Sequence, residues 1–184
     1  MGTASAEPPG RFIERFIRMQ TLLRFLQLIT MVVWVGGLIF FAFVLAPTAF
    51  HTLPTIHLAG LVVGDCLRQF HLVALVSGGL FWIATAVLFR KAPMHVRGRY
   101  EMQLLLSAVM LLATAYLQAN VLPAMELDRA HAGGDIDNVP LSHPARIHFD
   151  KLHRRSERVE GSILLLGVFV VFLMSREILD PETA

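Results

Sequence analysis

A chain of 184 residues that is 55% hydrophobic and only 16% charged, with a mean hydropathy of +0.59, has the composition of a membrane protein rather than of a soluble domain. A formal charge of +2 is too small to imply a nucleic-acid partner, and the basic residues gather in short groups beside apolar runs, where membrane topology accounts for them. The single cysteine, Cys66, excludes an intrachain disulfide and any paired-cysteine metal or redox motif, and reads as a small apolar side chain.

The first ten residues, MGTASAEPPG, read as a disordered tail, since small polar residues are combined with Pro8, Pro9 and Gly10. Residues 11–184 form one domain. From Arg11 the pattern becomes helical: Phe12, Ile13, Phe16 and Ile17 share one face, and Arg11, Arg15 and Arg18 another. This predicts a short amphipathic helix at the membrane interface that leads into the first span.

That span, about 24–46, is centred on Leu28 to Ala46, where only Thr30 carries a side-chain hydroxyl and no residue carries a charge. Its Gly36-Gly37 pair, like Gly78-Gly79 in the second span, allows close helix approach. Thr55 to Phe89 reads as one long or kinked helix whose membrane part is about 67–89, with Asp65 and Arg68 placed to pair at the membrane edge. The third span is about 103–123. Pro47 and Pro123 are expected to end the first and third spans.

The fourth apolar run, Gly161 to Met174, has only fourteen residues, roughly 21 Å of helix against a hydrocarbon core of about 30 Å. Arg176, Glu177 and Pro181 oppose extension downstream, so the helix must extend upstream, giving a span of about 153–175 that carries His153, Ser156 and Glu160 into the membrane. The fold class is therefore an all-α, integral-membrane four-helix bundle. Both termini are expected in the cytoplasm of a cell whose inner (plasma) membrane holds the protein. Arg11, Arg15, Arg18 and Arg24 precede the first span, and Arg90, Lys91, Arg97 and Arg99 occupy the second link. The third link balances six basic residues with six acidic ones and adds little.

At the opposite end, packing would bring His71, Asn120, His153, Ser156 and Glu160 into a polar pocket, with Gln118 nearby and with Trp34 and Trp82 in its apolar floor. Two histidines and a carboxylate suit a transition metal, and one or two histidines suit a haem iron, although no HExxH or CxxCH motif is present. The competing reading is an ion belt in which Glu157 and Glu160 offset Arg154 and Arg158.

WVGGLIFFAFVLAPTAF in the first span, AGLVVGDCLRQFH after it and FDKLHRRSERVEG before the fourth resemble a bacterial domain-of-unknown-function family related to transmembrane protein 205. The resemblance runs from about Leu22 to Ser175. It implies a small four-span protein in which Trp34, Gly36, Gly37, Pro47, Leu152, His153 and Ser156 are the motif positions, and it implies no particular activity. Where this chain has Glu160, that family often has asparagine. More distantly, the first span is similar to those of copper-resistance membrane proteins and of membrane protoporphyrinogen oxidase, in which a haem-ligating histidine lies seven residues before the tryptophan; here that position is Gln27. The expected function is a non-enzymatic scaffold or accessory membrane protein with no cofactor, its partners being lipid and a membrane protein or a second copy of itself. The alternative is a haem- or metal-binding redox or metal-handling protein, with His71, His153 and Glu160 as the candidate ligands.

Overall fold

The computed structural model describes residues 9–178, which are helical apart from short connections and include no strand. The tail expected over 1–10 lies outside the described residues as far as position 8, and Pro9 and Gly10 already belong to a helix. The first helix, α1, is α-helical over Pro9–Met31, passes through π turns at Val32–Gly36 and Phe41–Leu45 with Gly37–Phe40 between them, and finishes as Ala46–Thr52. Helix α2 spans Ile56–Lys91. Helix α3 runs through Met94–Tyr116, a π turn at Leu117–Val121, and Leu122–His131. Helix α4 spans Pro144–Ile178.

All four are long and apolar enough to cross a membrane, over Ile17–Thr52, Ile56–Lys91, Met94–His131 and Pro144–Arg176. Helices α1, α3 and α4 are longer than the sequence pattern suggests, whereas α2 matches the long helix expected from Thr55 to Phe89 and runs two residues further. The amphipathic segment expected as a separate interfacial helix is the beginning of α1, because no glycine or proline between Gly10 and Gly36 supplies a break. Helix α4 starts at Pro144, upstream of the span expected from about 153.

Pro47 and Pro123 do not end their spans. A proline lacks the N–H of the helical ladder and crowds the carbonyl four residues back. In both cases a π turn lies just upstream, Phe41–Leu45 before Pro47 and Leu117–Val121 before Pro123, and the looser turn carries the helix past the ring. The actual ends have other causes. Leu53 is extended (φ −80°, ψ 146°) ahead of Pro54, and Ala92 (φ −71°, ψ 137°) ahead of Pro93, as the residue before a proline prefers. Helix α3 stops where Gly133 and Gly134 adopt φ of +80° and +100°, which only glycine takes readily. Thr55 caps α2, its hydroxyl accepting the Leu58 N–H at 3.2 Å.

The helices run up and down with the start of α1 and the end of α4 at the same end of the bundle. There the Lys91 ammonium lies 3.4 Å from Met19 Sδ, and Arg99 donates to the Arg176 carbonyl at 3.3 Å. The opposite end, called here the loop end, carries the α1–α2 and α3–α4 connections. A helix of 36 residues such as α2 is roughly 54 Å long, well beyond the hydrocarbon thickness, so the helices project into the interface and beyond.

Helices α1 and α2 cross closely. Trp34, only 1% exposed, packs against Gly78, where a Cβ would overlap its ring and crowd Leu111. Gly37 meets the Phe70 ring in the same way, and Gly167 of α4 receives Val35, closing α4 onto α1. The expectation that both first-span glycines sit at a crossing is corrected: Gly36 is exposed and, like Gly79, has open space where a Cβ would be.

Gly78→Ala is therefore expected to destabilise the bundle by about 1–3 kcal/mol through overpacking against Trp34, whereas Gly36→Ala should be neutral or slightly stabilising. Thermal midpoints in mild detergent, read by size-exclusion fluorescence, check the contrast.

Candidate functional site

A polar side chain in the membrane interior must find its partners within the protein. The described residues contain two such arrangements, one toward each end of the bundle. Toward the loop end, His71 of α2 is 1% exposed. Its Nε2 lies 2.5 Å from Oε1 of Glu160 on α4, and its Nδ1 lies 3.3 Å from Oε1 of Gln118 on α3. The Glu160 side chain is 16% exposed. With Nδ1–H donating to the Gln118 oxygen, Nε2 either accepts the proton of a carboxylic acid or, in an imidazolium, donates one to a carboxylate. Both arrangements place one proton between ring and carboxyl group. Three helices thus converge on a single imidazole.

Gln118 sits in the π turn Leu117–Val121, four residues after buried Thr114, so that turn faces it inward. It also borders an open groove lined by Arg68, Pro123, Glu126 and Leu127. Arg68 is thus turned to this groove, while Asp65 is exposed; the two form no ion pair.

Several expected members of the pocket lie elsewhere. Asn120, two residues past Gln118 and on the other side of α3, is exposed and donates only to the Tyr116 carbonyl, at 3.4 Å. His153 is exposed, 3.3 Å from Glu157 and stacked on Phe149. Trp82 is 40% exposed and does not belong to the floor; Trp34 does belong to the core. Pro47 lies on the surface. Ser156 is buried one turn before Glu160, and Leu152 one turn before that. The ion belt is corrected as well, since Glu160 turns to His71 and Glu157 to His153, leaving Arg154 and Arg158 without a carboxylate among the described residues.

This placement bears on the metal alternative. It separates His153 from His71 and leaves one imidazole and one carboxylate, already bonded to each other, where a protein metal site ordinarily supplies three or four ligands.

The second arrangement lies nearer the start of α1 and the end of α4. Gln27 of α1 is buried, its amide N–H donating to Thr85 Oγ1 of α2 at 2.8 Å and, at 3.4 Å, to Gln103 Oε1 of α3. Thr85 in turn donates to the Phe81 carbonyl, and the Ser107 hydroxyl to the Gln103 carbonyl, both at 2.7 Å. The sequence reading weighed Gln27 only as a missing histidine. Its usable signal was that Thr85, Gln103 and Ser107 are polar interruptions of the facing spans.

The loop end is closed by charged contacts outside the apolar runs. Arg129 donates to Glu126 at 2.8 Å and to the Gly60 carbonyl at 3.2 Å, and lies over the Phe149 ring at 5.1 Å. His148 pairs with buried Asp128 at 2.8 Å. His57, Asp135 and Asp137 bring donor atoms within 4.8 Å of one another. Asp135 takes the His57 ring at 3.3 Å and the Asn138 amide at 2.8 Å, and Arg146 offsets Asp137 at 3.8 Å, so the cluster ties the α3–α4 loop to the start of α2.

Fold and site together define a multi-pass, all-α membrane protein: a four-helix bundle with an interior His–Glu pair. The profile of the family described as "Domain of unknown function (DUF4149)" matches residues 29–129, more than half of the chain, and the protein belongs to that family. The matched region holds His71, Gln118, Thr85 and Gln103 but stops short of α4 and Glu160. No curated protein and no solved structure matches the chain.

Two outcomes follow. His71→Ala and Glu160→Gln should each lower the thermal midpoint, and the double variant should show a coupling of about 1–3 kcal/mol, while Asn120→Ala and His153→Ala stay within about 0.5 kcal/mol of the parent. In the second layer, Gln27→Leu or Gln103→Leu alone should cost about 1–3 kcal/mol by leaving a buried partner unsatisfied, with the double leucine variant recovering part of the loss. Denaturation in detergent of graded strength measures both sets.

Proposed function

We propose that the protein is a non-enzymatic accessory component of the inner (plasma) membrane, a multi-pass scaffold that positions a membrane-protein partner or a second copy of itself. The observation that carries this reading is the occupancy of the interior histidine. Both His71 ring nitrogens are spent on side chains of other helices, Glu160 and Gln118, so the group joins α2, α3 and α4 instead of presenting a free base, nucleophile or ligand. A haem iron, a metal or a substrate would have to displace one of those contacts, and the reading calls for no cofactor.

The outer surface supports the same reading. Phe43, Val76, Leu112 and Leu165, one from each helix, are all largely exposed, which leaves broad apolar faces for lipid and neighbouring protein. Kinship with relatives of transmembrane protein 205 is part of the proposal and rests on the WVGG and LHRRS segments. For orientation, the end that carries the start of α1 and the end of α4 also carries Arg15, Arg18, Arg90, Lys91, Arg97 and Arg99, and we assign it to the cytoplasm.

A photo-crosslinking residue at position 43 or 76, activated in native membranes, is expected to give a discrete heavier adduct containing a second membrane protein or a second copy of the chain. Adducts with lipid alone would overturn the scaffold reading. An absorption spectrum and metal analysis of the purified protein should show neither haem nor stoichiometric metal. Reporters fused after Lys91 and after Ala184 should read cytoplasmic, and one inserted near Gly134 should read external.

A further inference from the structure

At the loop end of α4, Lys151, Arg154, Arg155 and Arg158 recur at i, i+3, i+4 and i+7, a spacing that sets four cations on one stripe of the helix. All four are exposed, and with Val159 they line a shallow concavity. The Arg155 guanidinium is held against α3, donating to the Tyr116 hydroxyl at 3.1 Å. None of the four has a carboxylate partner among the described residues; Glu157, on the same helix, is 3.3 Å from His153.

Farther along the same face the character of the helix changes. Leu165 lies seven residues after Arg158, about 10 Å deeper, and Phe169 and Phe172 follow at four and seven residues beyond it. All three are exposed, and the two phenylalanines stack at 6.2 Å. One stripe of α4 therefore offers unpaired cations at the depth of lipid headgroups and a continuous apolar strip at the depth of acyl chains, which is the division of an anionic phospholipid.

We propose that this face of α4 is a binding site for an anionic phospholipid, whose phosphodiester is held by Lys151, Arg154 and Arg158 and whose acyl chains lie along Leu165, Phe169 and Phe172. The two halves of the site act together. A soluble anion would use only the upper half, and a zwitterionic lipid would bring its own cation into the cluster.

The test uses the full chain, delipidated in mild detergent, with phosphatidylglycerol, phosphatidylcholine and inorganic phosphate as separate probes. Retained lipid is counted by native mass spectrometry, and the thermal midpoint is followed as each probe is added. Phosphatidylglycerol is expected to be retained and to raise the midpoint, whereas phosphatidylcholine and phosphate leave it unchanged. Neutralising Lys151, Arg154 or Arg158 to glutamine should weaken phosphatidylglycerol binding roughly fivefold per cation, and Arg154→Lys or Arg158→Lys should retain most of it. Because these side chains are exposed, the variants should fold, and an unchanged midpoint without lipid confirms that they have. Equal retention of both lipids, undiminished binding by the triple glutamine variant, or a phosphate effect as large as that of phosphatidylglycerol would each overturn the proposal.

Discussion

The constraint on which the rest of the structure depends is that a polar group inside a bilayer must be satisfied by other parts of the protein. His71 and Glu160 illustrate it. Neither would be stable facing lipid alone, and each removes the other's need for water. Because they come from α2 and α4, satisfying them fixes how those two helices are rotated toward each other, and Gln118 adds α3 to the same joint. The Gln27–Thr85–Gln103 layer does the corresponding work for α1, α2 and α3 toward the other end. Between the two polar levels the core is predominantly apolar and close-packed, with Trp34 on Gly78 and Val35 on Gly167.

The π turns serve this arrangement. Those at Phe41–Leu45 and Leu117–Val121 let a proline-containing helix continue, and all three reset which residues face inward beyond them. On α3 the turn at Leu117–Val121 keeps Gln118 on the inner side while Asn120 faces out. On α1 the turn at Val32–Gly36 contains Trp34 and Val35, both buried, and leaves Gly36 on the surface. The prolines thus mark where the helices are loosened rather than where they stop.

Outside the apolar interior the balance of forces is different. The loop end is held by paired charges, Arg129 with Glu126, His148 with Asp128, and His57 with Asp135, which gather the helix ends where water and headgroups lower the cost of charge. The cations on α4 stand apart from this pairing. They are the same residues that blur the charge asymmetry of the sequence, and a headgroup partner gives them a role independent of topology.

The amino-acid sequence alone determined that the chain is a four-helix membrane bundle, because hydropathy accumulates residue by residue and needs no knowledge of neighbours. It also determined that α4 begins well upstream of its apolar run, since fourteen apolar residues are too few to cross. The same local arithmetic failed at Pro47 and Pro123, where the π turns that accommodate a proline have no signature in composition. Which polar residues meet was decided only by the tertiary structure. His71, Asn120, Gln118, His153, Ser156 and Glu160 were all legible as polar groups at one level, yet Glu160 and Gln118 reach His71 while Asn120 and His153 turn away. Depth along a helix follows from position in the chain, whereas the direction a side chain faces follows from how each helix is rotated against the other three, and that rotation is set by contacts between residues far apart in sequence.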